Sequence, residues 1–322
     1  MNRIIIATIL ALIALPALSQ TEEVILPSDL KQQTIITEPA TLHKGFLRMG
    51  LVASYGVVDK YFNDESKREY FPESAWAASW GYMLLAQYGV TERLTAEFWL
   101  PYNNETRNYY QVYIDPAFNT ELENSWDLKG RGLGDISLSA RYQLITESES
   151  RPSLTGTMDI TLPTGRKNPA NIKGDYQYDL PTGGGAFTFR PELRARKISY
   201  PLSYVAYVGW LYHLPGKKLF SAQDTVESDF QFGSRIDVGV SMNFHLNDWI
   251  AVANEINYFH SGKGEQENVA DEDLPTSWAV SYETRLVFQI RRVRLAEAVR
   301  IPIKGKIVSA DPIYVILLQY TF

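Results

Sequence analysis

The chain of 322 residues contains no cysteine. This absence excludes a disulfide framework, thiol chemistry and a lipid anchor on cysteine. After the first twenty residues no stretch reaches the ~18 consecutive apolar residues of a membrane-spanning helix, and no window shows a helical period. Basic residues are outnumbered, 31 against 37 acidic ones, and the net charge of −6 argues against a nucleic-acid surface.

The start of the chain has the pattern of a secretory signal peptide. Arg3 supplies the positive charge, residues 4–15 form a short apolar run, and Ala17-Leu18-Ser19 is a small-x-small cleavage site. We therefore predict a signal peptide over residues 1–19. The polar, aperiodic segment 20–44 is predicted to be a periplasmic N-terminal arm or a plug.

The rest of the chain alternates between apolar and polar residues with the period of a β-strand. The alternation is clearest over residues 230–245, where Phe232, Ile236 and Val240 share one face while Arg235 and Asp237 share the other. Across the chain the polar faces carry glycines and charges of both signs, which would make a poor dry core. The pattern therefore predicts that apolar side chains point outward into lipid.

About twelve such strands can be read from the sequence, joined by alternating long and short connections. The predicted strands span 45–58, 75–88, 94–102, 132–145, 153–162, 185–198, 202–213, 230–245, 249–260, 278–290, 293–303 and 314–322. We predict an all-β fold: a transmembrane antiparallel up-and-down β-barrel over residues 45–322, of outer-membrane type. Its expected location is the bacterial outer membrane, with both termini in the periplasm.

The C-terminal strand ends on an aromatic residue. Tyr320 and Phe322 lie on one face of this strand with Leu318 and Ile316. Such an ending resembles the assembly signal of bacterial outer-membrane barrels. The expected partners are therefore the barrel-assembly machinery and the surrounding lipid and lipopolysaccharide.

Several short motifs resemble the outer-membrane family named for the meta-cleavage pathway of phenol degradation. They are Thr37-Glu38-Pro39 with His43-Lys44-Gly45, Gly132 to Tyr142, Leu162 to Gly165, Thr182 to Gly185, and Ile301-Pro302-Ile303 with Gly305. The resemblance implies a barrel that is usually called a transporter or channel for hydrophobic or aromatic compounds. It supplies no catalytic residues.

Charged residues on the predicted inward faces are the candidate lumen or constriction residues. The basic ones are Arg48, Arg141, Arg190, Arg194, Arg196, Arg235, Arg285 and Arg300, and the acidic ones are Glu97, Asp135, Asp159, Glu192, Asp237, Glu255 and Glu283. One interpretation is a charged constriction that selects solutes. The other is a salt-bridge network that fills a narrow lumen and stiffens the barrel. The two are not exclusive.

The sequence leaves three functional hypotheses. The first is a channel or transporter for small solutes, hydrophobic or aromatic ones included, and the second is a closed structural or partner-binding barrel. The third is a lipid hydrolase, for which His260-Ser261 near Asn257 is the available group, although neighbours in a strand face opposite ways. We predict no enzyme, no metal and no cofactor. The glycine pattern at 130–134 precedes a strand, whereas a dinucleotide fingerprint precedes a helix.

Overall fold

A computed structural model describes residues 40–322, apart from 72–74, 116–119, 172–177, 221–223, 268 and 271–274. The predicted signal peptide and most of the predicted arm lie outside the described residues. Every regular element in the described part of the chain is a strand, and no helix there has the length and apolar character needed to cross a bilayer.

Twelve strands form the barrel wall and are numbered in chain order. They are β1 Leu47–Val58, β2 Trp76–Thr91, β3 Leu94–Asp115, β4 Ile136–Ile145, β5 Ser153–Leu162, β6 Thr188–Ser199, β7 Leu202–His213, β8 Arg235–His245, β9 Ile250–Ser261, β10 Ser277–Ile290, β11 Val293–Lys306 and β12 Ile313–Thr321. Each strand pairs antiparallel with the next. β12 pairs with β1, from Arg48↔Thr321 to Gly56↔Ile313, and so closes the ring. The predicted twelve-stranded barrel is confirmed.

The two faces of the wall differ as the alternation predicts. On β8, Val240 is 55% exposed on the outside, whereas Asp237, which points inward from the same strand, is 8% exposed. Closure pairs the edge strands, so the backbone hydrogen bonds of the wall are made within the protein while apolar side chains cover the outside. The chain therefore has the inside-out arrangement of an outer-membrane barrel.

The connections sort by length onto two rims. One rim, called the short-turn rim, carries tight turns such as residues 92–93 and 291–292, and it also holds the start of β1 and the end of β12. The opposite long-loop rim carries the longer connections. Exposed aromatic residues mark the short-turn rim, among them Tyr88, Tyr142, Tyr204, Trp249 and Tyr320. A second aromatic band lies toward the long-loop rim and includes Trp80, Trp210, Tyr258 and Trp278.

The long loop predicted over residues 103–131 is wrong. β3 continues to Asp115 and returns as the strand Thr120–Leu133, so a two-stranded hairpin rises above the wall. Residues 103–108 are mostly polar on both faces, so the hydrophobic alternation fades there. The Tyr- and Val-rich stretch 109–114 nevertheless has the composition of a strand.

Three predicted strand starts are also corrected. β4 begins at Ile136 because Gly132, at φ 149°, belongs to the hairpin and the Gly134 amide bonds to the Pro101 carbonyl outside the ladder. β6 begins at Thr188, beyond the glycine run. β8 begins at Arg235, since Ser228–Gln231 joins a separate sheet above the barrel.

In the described part of the chain, the long loops contribute ten more strands, counting the hairpin strand Thr120–Leu133. Ala170–Asn171 and Tyr178–Asp179 extend the wall sheet beside the hairpin. Gly216–Lys218, Ser228–Gln231, Glu265–Gln266 and Val269–Ala270 form a second sheet, and Lys60–Phe62, Arg68–Tyr70 and Val308–Ser309 form a third.

Candidate functional site: the barrel lumen

Two cavities lined by described residues are stacked along the lumen of the barrel. The upper cavity, toward the long-loop rim, has a volume of about 570 Å³ and is lined by residues from nine strands. The lower cavity, toward the short-turn rim, has a volume of about 80 Å³. Arg141 and Tyr207 line both cavities, so they mark the junction.

The charged ladder predicted on β6 faces the lumen. Because side chains alternate along a strand, Arg190, Glu192, Arg194 and Arg196 all point inward. The Glu192 carboxylate lies 3.2 Å from the Arg190 guanidinium and 2.8 Å from that of Arg194. Arg196 turns instead to Glu147, at 3.3 Å. One strand thus supplies charges to both cavities.

Acidic and basic side chains sit at different depths in the wall. The side chains of Glu97, Glu283 and Glu192 are 2%, 4% and 7% exposed. Those of Arg194 and Arg300 are 38% and 48% exposed. These carboxylates are therefore recessed against the strands, and Arg194 and Arg300 present positive charge to the lumen. Arg141 and Arg196, at 17% and 6% exposed, are recessed together with their partners.

Each recessed carboxylate has at least one guanidinium partner. Glu97 pairs with Arg141 at 2.9 Å, Asp237 pairs with Arg235 at 2.6 Å and lies 3.8 Å from Arg190, and Glu283 pairs with both Arg285 and Arg300. Charged groups this far from bulk water need such partners. The ion pairs expected from the sequence are therefore found along the inner wall. They also hold the arginine side chains on the lumen side of the wall.

Tyr207 stands at the junction between the cavities. Its hydroxyl donates to Glu255 Oε1 at 3.0 Å, and the Arg194 guanidinium lies 5.3 Å from the centre of its ring. Gly239 on β8 makes room for the ring, because a Cβ at this position would overlap it. Close packing on a glycine fixes how far Tyr207 extends across the lumen.

The lower cavity is dominated by arginine. Five arginines line it, against one acid: Arg141, Arg194, Arg196, Arg285, Arg294 and Glu255. Ala40 also lines this cavity, because the segment before β1 folds against the inner wall through a bond from the Thr41 hydroxyl to the Glu92 carbonyl. Residues 40 and 41 of the predicted arm thus lie inside the short-turn mouth.

Sequence reasoning missed two buried charges of this region. Arg294 lies at even spacing from Arg300 on β11, so the period of the strand could have identified it. Glu147 lies in the turn between β4 and β5, where no strand period applies. It accepts a bond from the Ile198 amide at 2.5 Å as well as pairing with Arg196.

Three candidate residues have distinct positions. Asp159 lines the upper cavity opposite Arg190 in the β5–β6 register. Arg48 donates to the Thr321 hydroxyl at 3.1 Å across the closing seam. Asp135 is corrected: it lies before β4 and its carboxylate accepts the backbone amides of Gly165 and Gly184. It ties the β5–β6 connection to the rim and lines neither cavity.

The residues proposed for a hydrolase do not assemble. His260 and Ser261 are consecutive on β9 and face opposite sides of the wall. A different serine, Ser203, lies 3.4 Å from His245 Nε2 and accepts a bond from Asn243. Ser203 has no exposed surface, so a substrate cannot reach it. The Asn243 side-chain amide donates to Ser203, whereas a hydrolase needs a polar group that orients the histidine. A polar cluster at the strand ends explains this contact.

Solved structures with the same architecture include outer-membrane channels. No family model matches the chain. The COG4313 outer membrane channel from Pseudomonas putida F1 has a TM-score of 0.68 and 14% identity, over 89% of this chain and 98% of that one. At this identity the likeness establishes the fold, and the family resemblance of the motifs stays a prediction.

Two other similar structures have lower scores. The translocator domain of the autotransporter NalP from Neisseria meningitidis has a TM-score of 0.49 and 11% identity, over 89% of this chain and 91% of that one. The toluene transporter TodX from P. putida has a TM-score of 0.43 and 10% identity, over 89% and 93%. Neither score supports a functional argument.

Proposed function

We propose that the protein is an outer-membrane channel for small solutes and that its lumen favours anions. The observation that carries this proposal is the different depth of the lumen charges. Recessed carboxylates hold the arginines in place, so a solute in the lumen meets guanidinium groups first. A unit charge ~5 Å from a guanidinium gains roughly 1 kcal/mol in water and more where water is excluded.

The lower cavity sets the size and charge of the solute. Its volume of about 80 Å³ admits only small groups, and its lining has five arginines and one glutamate. In the upper cavity four arginines are balanced by four acids. Arginine forks bind carboxylates and phosphates in bidentate fashion, so small organic or inorganic anions fit this lining.

The hydrophobic or aromatic solutes implied by the family resemblance stay a prediction. The Arg235 guanidinium lines the upper cavity and lies 4.0 Å from the centre of the Phe259 ring, which holds it as a flat cationic surface. Such a surface suits an aromatic carboxylate better than an uncharged hydrocarbon. Aromatic carboxylates therefore satisfy both the proposed preference of the lumen for anions and the aromatic solutes that the family resemblance implies.

The orientation follows from the connections. Outer-membrane barrels have short periplasmic turns and long extracellular loops. We therefore place the short-turn rim, the start of β1 and Phe322 on the periplasmic side. A protease added to intact cells should cut the connections of the long-loop rim and leave a tag after Phe322 intact; loss of the tag would reverse the orientation.

Conductance in planar lipid bilayers tests the channel directly. The purified protein should give discrete current steps in potassium chloride, and a variant lacking residues 20–39 provides a second preparation. If neither preparation conducts, the channel proposal fails. That result would support the closed structural barrel, which the small volume of the lower cavity favours.

A further inference from the structure

Among the described residues, the lipid-facing surface of the barrel has one polar region. Between the two aromatic bands, the outward positions of the described strands are apolar, glycine or tyrosine almost throughout. The exceptions are Asn254 on β9, Thr284 on β10 and Glu297 on β11, which lie on three adjacent strands. We call these three residues the polar patch.

Glu297 lies within the hydrocarbon band. Its register neighbours Leu286 and Ile316 are both outward and apolar. It is four residues along β11 from Val293, which pairs with Tyr320 at the short-turn rim. At ~3.3 Å per residue and a strand tilt of ~40°, the carboxylate lies about 10 Å above that aromatic band.

The carboxylate of Glu297 is exposed and makes no hydrogen bond or ion pair with the described residues. A charged group on the lipid face is unfavourable in a depth-dependent way, so such residues in membranes face protein or water. The Tyr282 hydroxyl donates to Asn254 Oδ1 at 2.5 Å, which leaves the Asn254 amide hydrogens available. The patch therefore contains a hydrogen-bond acceptor without a donor, the Glu297 carboxylate, and donors without an acceptor, the Asn254 amide hydrogens.

The acceptor and the main donor lie at the same depth. The register row Asn254, Thr284, Val299 continues through Tyr314 and Trp80 to Asn104 in the hairpin, so it climbs toward the long-loop rim. Across two strands this climb is about 6 Å, and the step from Val299 down to Glu297 is about 5 Å. Glu297 and Asn254 therefore differ by only ~1 Å in height and lie ~12 Å apart along the wall.

We propose that the polar patch is the interface of a homodimer in the membrane. Two copies in the same bilayer are related by a two-fold axis along the membrane normal, which preserves depth. Glu297 of one copy then faces Asn254 of the other, and the Asn254 amide donates to the Glu297 carboxylate at two symmetric positions. Thr284 lies between them and offers a hydroxyl. A second copy supplies a donor for Glu297 and an acceptor for Asn254, and apolar neighbours such as Leu286 pack around these hydrogen bonds.

Cysteine crosslinking tests the dimer cleanly because the chain contains no cysteine. Leu286→Cys places a thiol between Asn254 and Glu297, near the expected axis. Met158→Cys places one on β5, on the opposite wall, where Met158 is 44% exposed. Oxidation in native membranes should give a crosslinked dimer from Leu286→Cys and none from Met158→Cys. No dimer from Leu286→Cys, equal yields from both, or a product of another size would overturn the proposal.

Substitutions at Glu297 then separate a specific contact from chance collision. In the Leu286→Cys background, Glu297→Leu should lower the dimer yield about tenfold, from the loss of two hydrogen bonds. Glu297→Gln keeps an acceptor and should retain most of the yield. Leucine suits the lipid face, so heat-modifiable migration should show a folded barrel in both variants. An unchanged yield in Glu297→Leu would contradict the interface.

Discussion

The two lumen cavities differ in both size and charge. The upper cavity, about 570 Å³, is lined by equal numbers of arginines and acids. The lower cavity, about 80 Å³, is lined by five arginines and one acid. Charge matters most where water is scarce, because the effective dielectric constant falls there. The lower cavity is therefore expected to decide which solutes pass, and the upper cavity to admit them.

The largest expected effect is the loss of stability when a buried ion pair is broken, compared with a more exposed one. Arg196 and Glu147 are 6% and 4% exposed, whereas Arg194 is 38% exposed. Arg196→Met leaves a buried carboxylate without its guanidinium and should lower the free energy of unfolding by about 3–5 kcal/mol. Arg194→Met, on the same face of β6, should cost less than about 1 kcal/mol because water screens the pair. Urea unfolding in detergent micelles measures both, and equal losses would contradict the difference in depth.

A second effect tests the junction between the cavities. Gly239→Ala adds a methyl group that overlaps the Tyr207 ring, and such overpacking typically costs about 1–3 kcal/mol. The displaced ring should enter the lumen and reduce the single-channel conductance. Gly156→Ala is the control, because its added Cβ would lie on the outer face with Leu144 Cδ1 as its nearest neighbour at 3.5 Å. Unchanged conductance in Gly239→Ala would show that ions bypass Tyr207.

A third effect compares the cavities directly. One charge at ~8 Å attracts an anion by roughly 0.5 kcal/mol in water and repels a cation by the same amount, so removing it should change the anion-to-cation permeability ratio about five-fold. Arg194→Gln and Arg285→Gln in the lower cavity should each show this drop. In each variant the carboxylate still has a guanidinium partner, because Glu192 remains paired with Arg190 and Glu283 with Arg300. Arg235→Gln in the wider upper cavity should change the ratio less than about two-fold. Equal changes in the two cavities would remove the distinction between them.

The smallest effect lies outside the membrane. Glu227 accepts hydrogen bonds from Lys167 at 2.7 Å and from Asn168 at 2.8 Å, and these bonds, together with the charge of Lys167, lower its pKa below 4.5. A lowered pKa means that the contact stabilises the connection above pH 4.5 and is lost as the pH falls through the lowered value. The protection of amides near Lys167 against hydrogen exchange, after correction for the intrinsic rate that itself slows in acid, should therefore fall as the pH is lowered.

Glu227→Gln is the control for this titration, since the amide cannot ionise and the corrected protection should no longer change with pH. A corrected protection that still changes with pH in Glu227→Gln would assign the titration to another group.

The sequence predicts the barrel well because a closed sheet between lipid and water imposes the same alternation on every strand. Arg190, Glu192, Arg194 and Arg196 were placed on one lumen face by that period alone. Elements outside the bilayer lack this constraint, so the hairpin continuing β3 was read as a loop. For the same reason Glu147 was missed and the assignment of Asp135 to the lumen was wrong, since each acts from a connection where the strand period does not hold.

The relative depth of the charged side chains could not be predicted from the sequence either. The strand period shows that Glu283 and Arg300 both face inward, but which of them reaches the lumen depends on how the guanidinium folds over the carboxylate. The exposure of these arginine side chains to the lumen is therefore a property of the assembled wall.

The zero-current potential across a bilayer with a potassium chloride gradient tests the central claim most directly. Guanidinium groups facing the lumen predict a potential of the sign that reports preferential chloride passage, and Arg194→Gln with Arg285→Gln should bring it toward zero. A potential that reports preferential potassium passage in the unaltered protein would contradict the account.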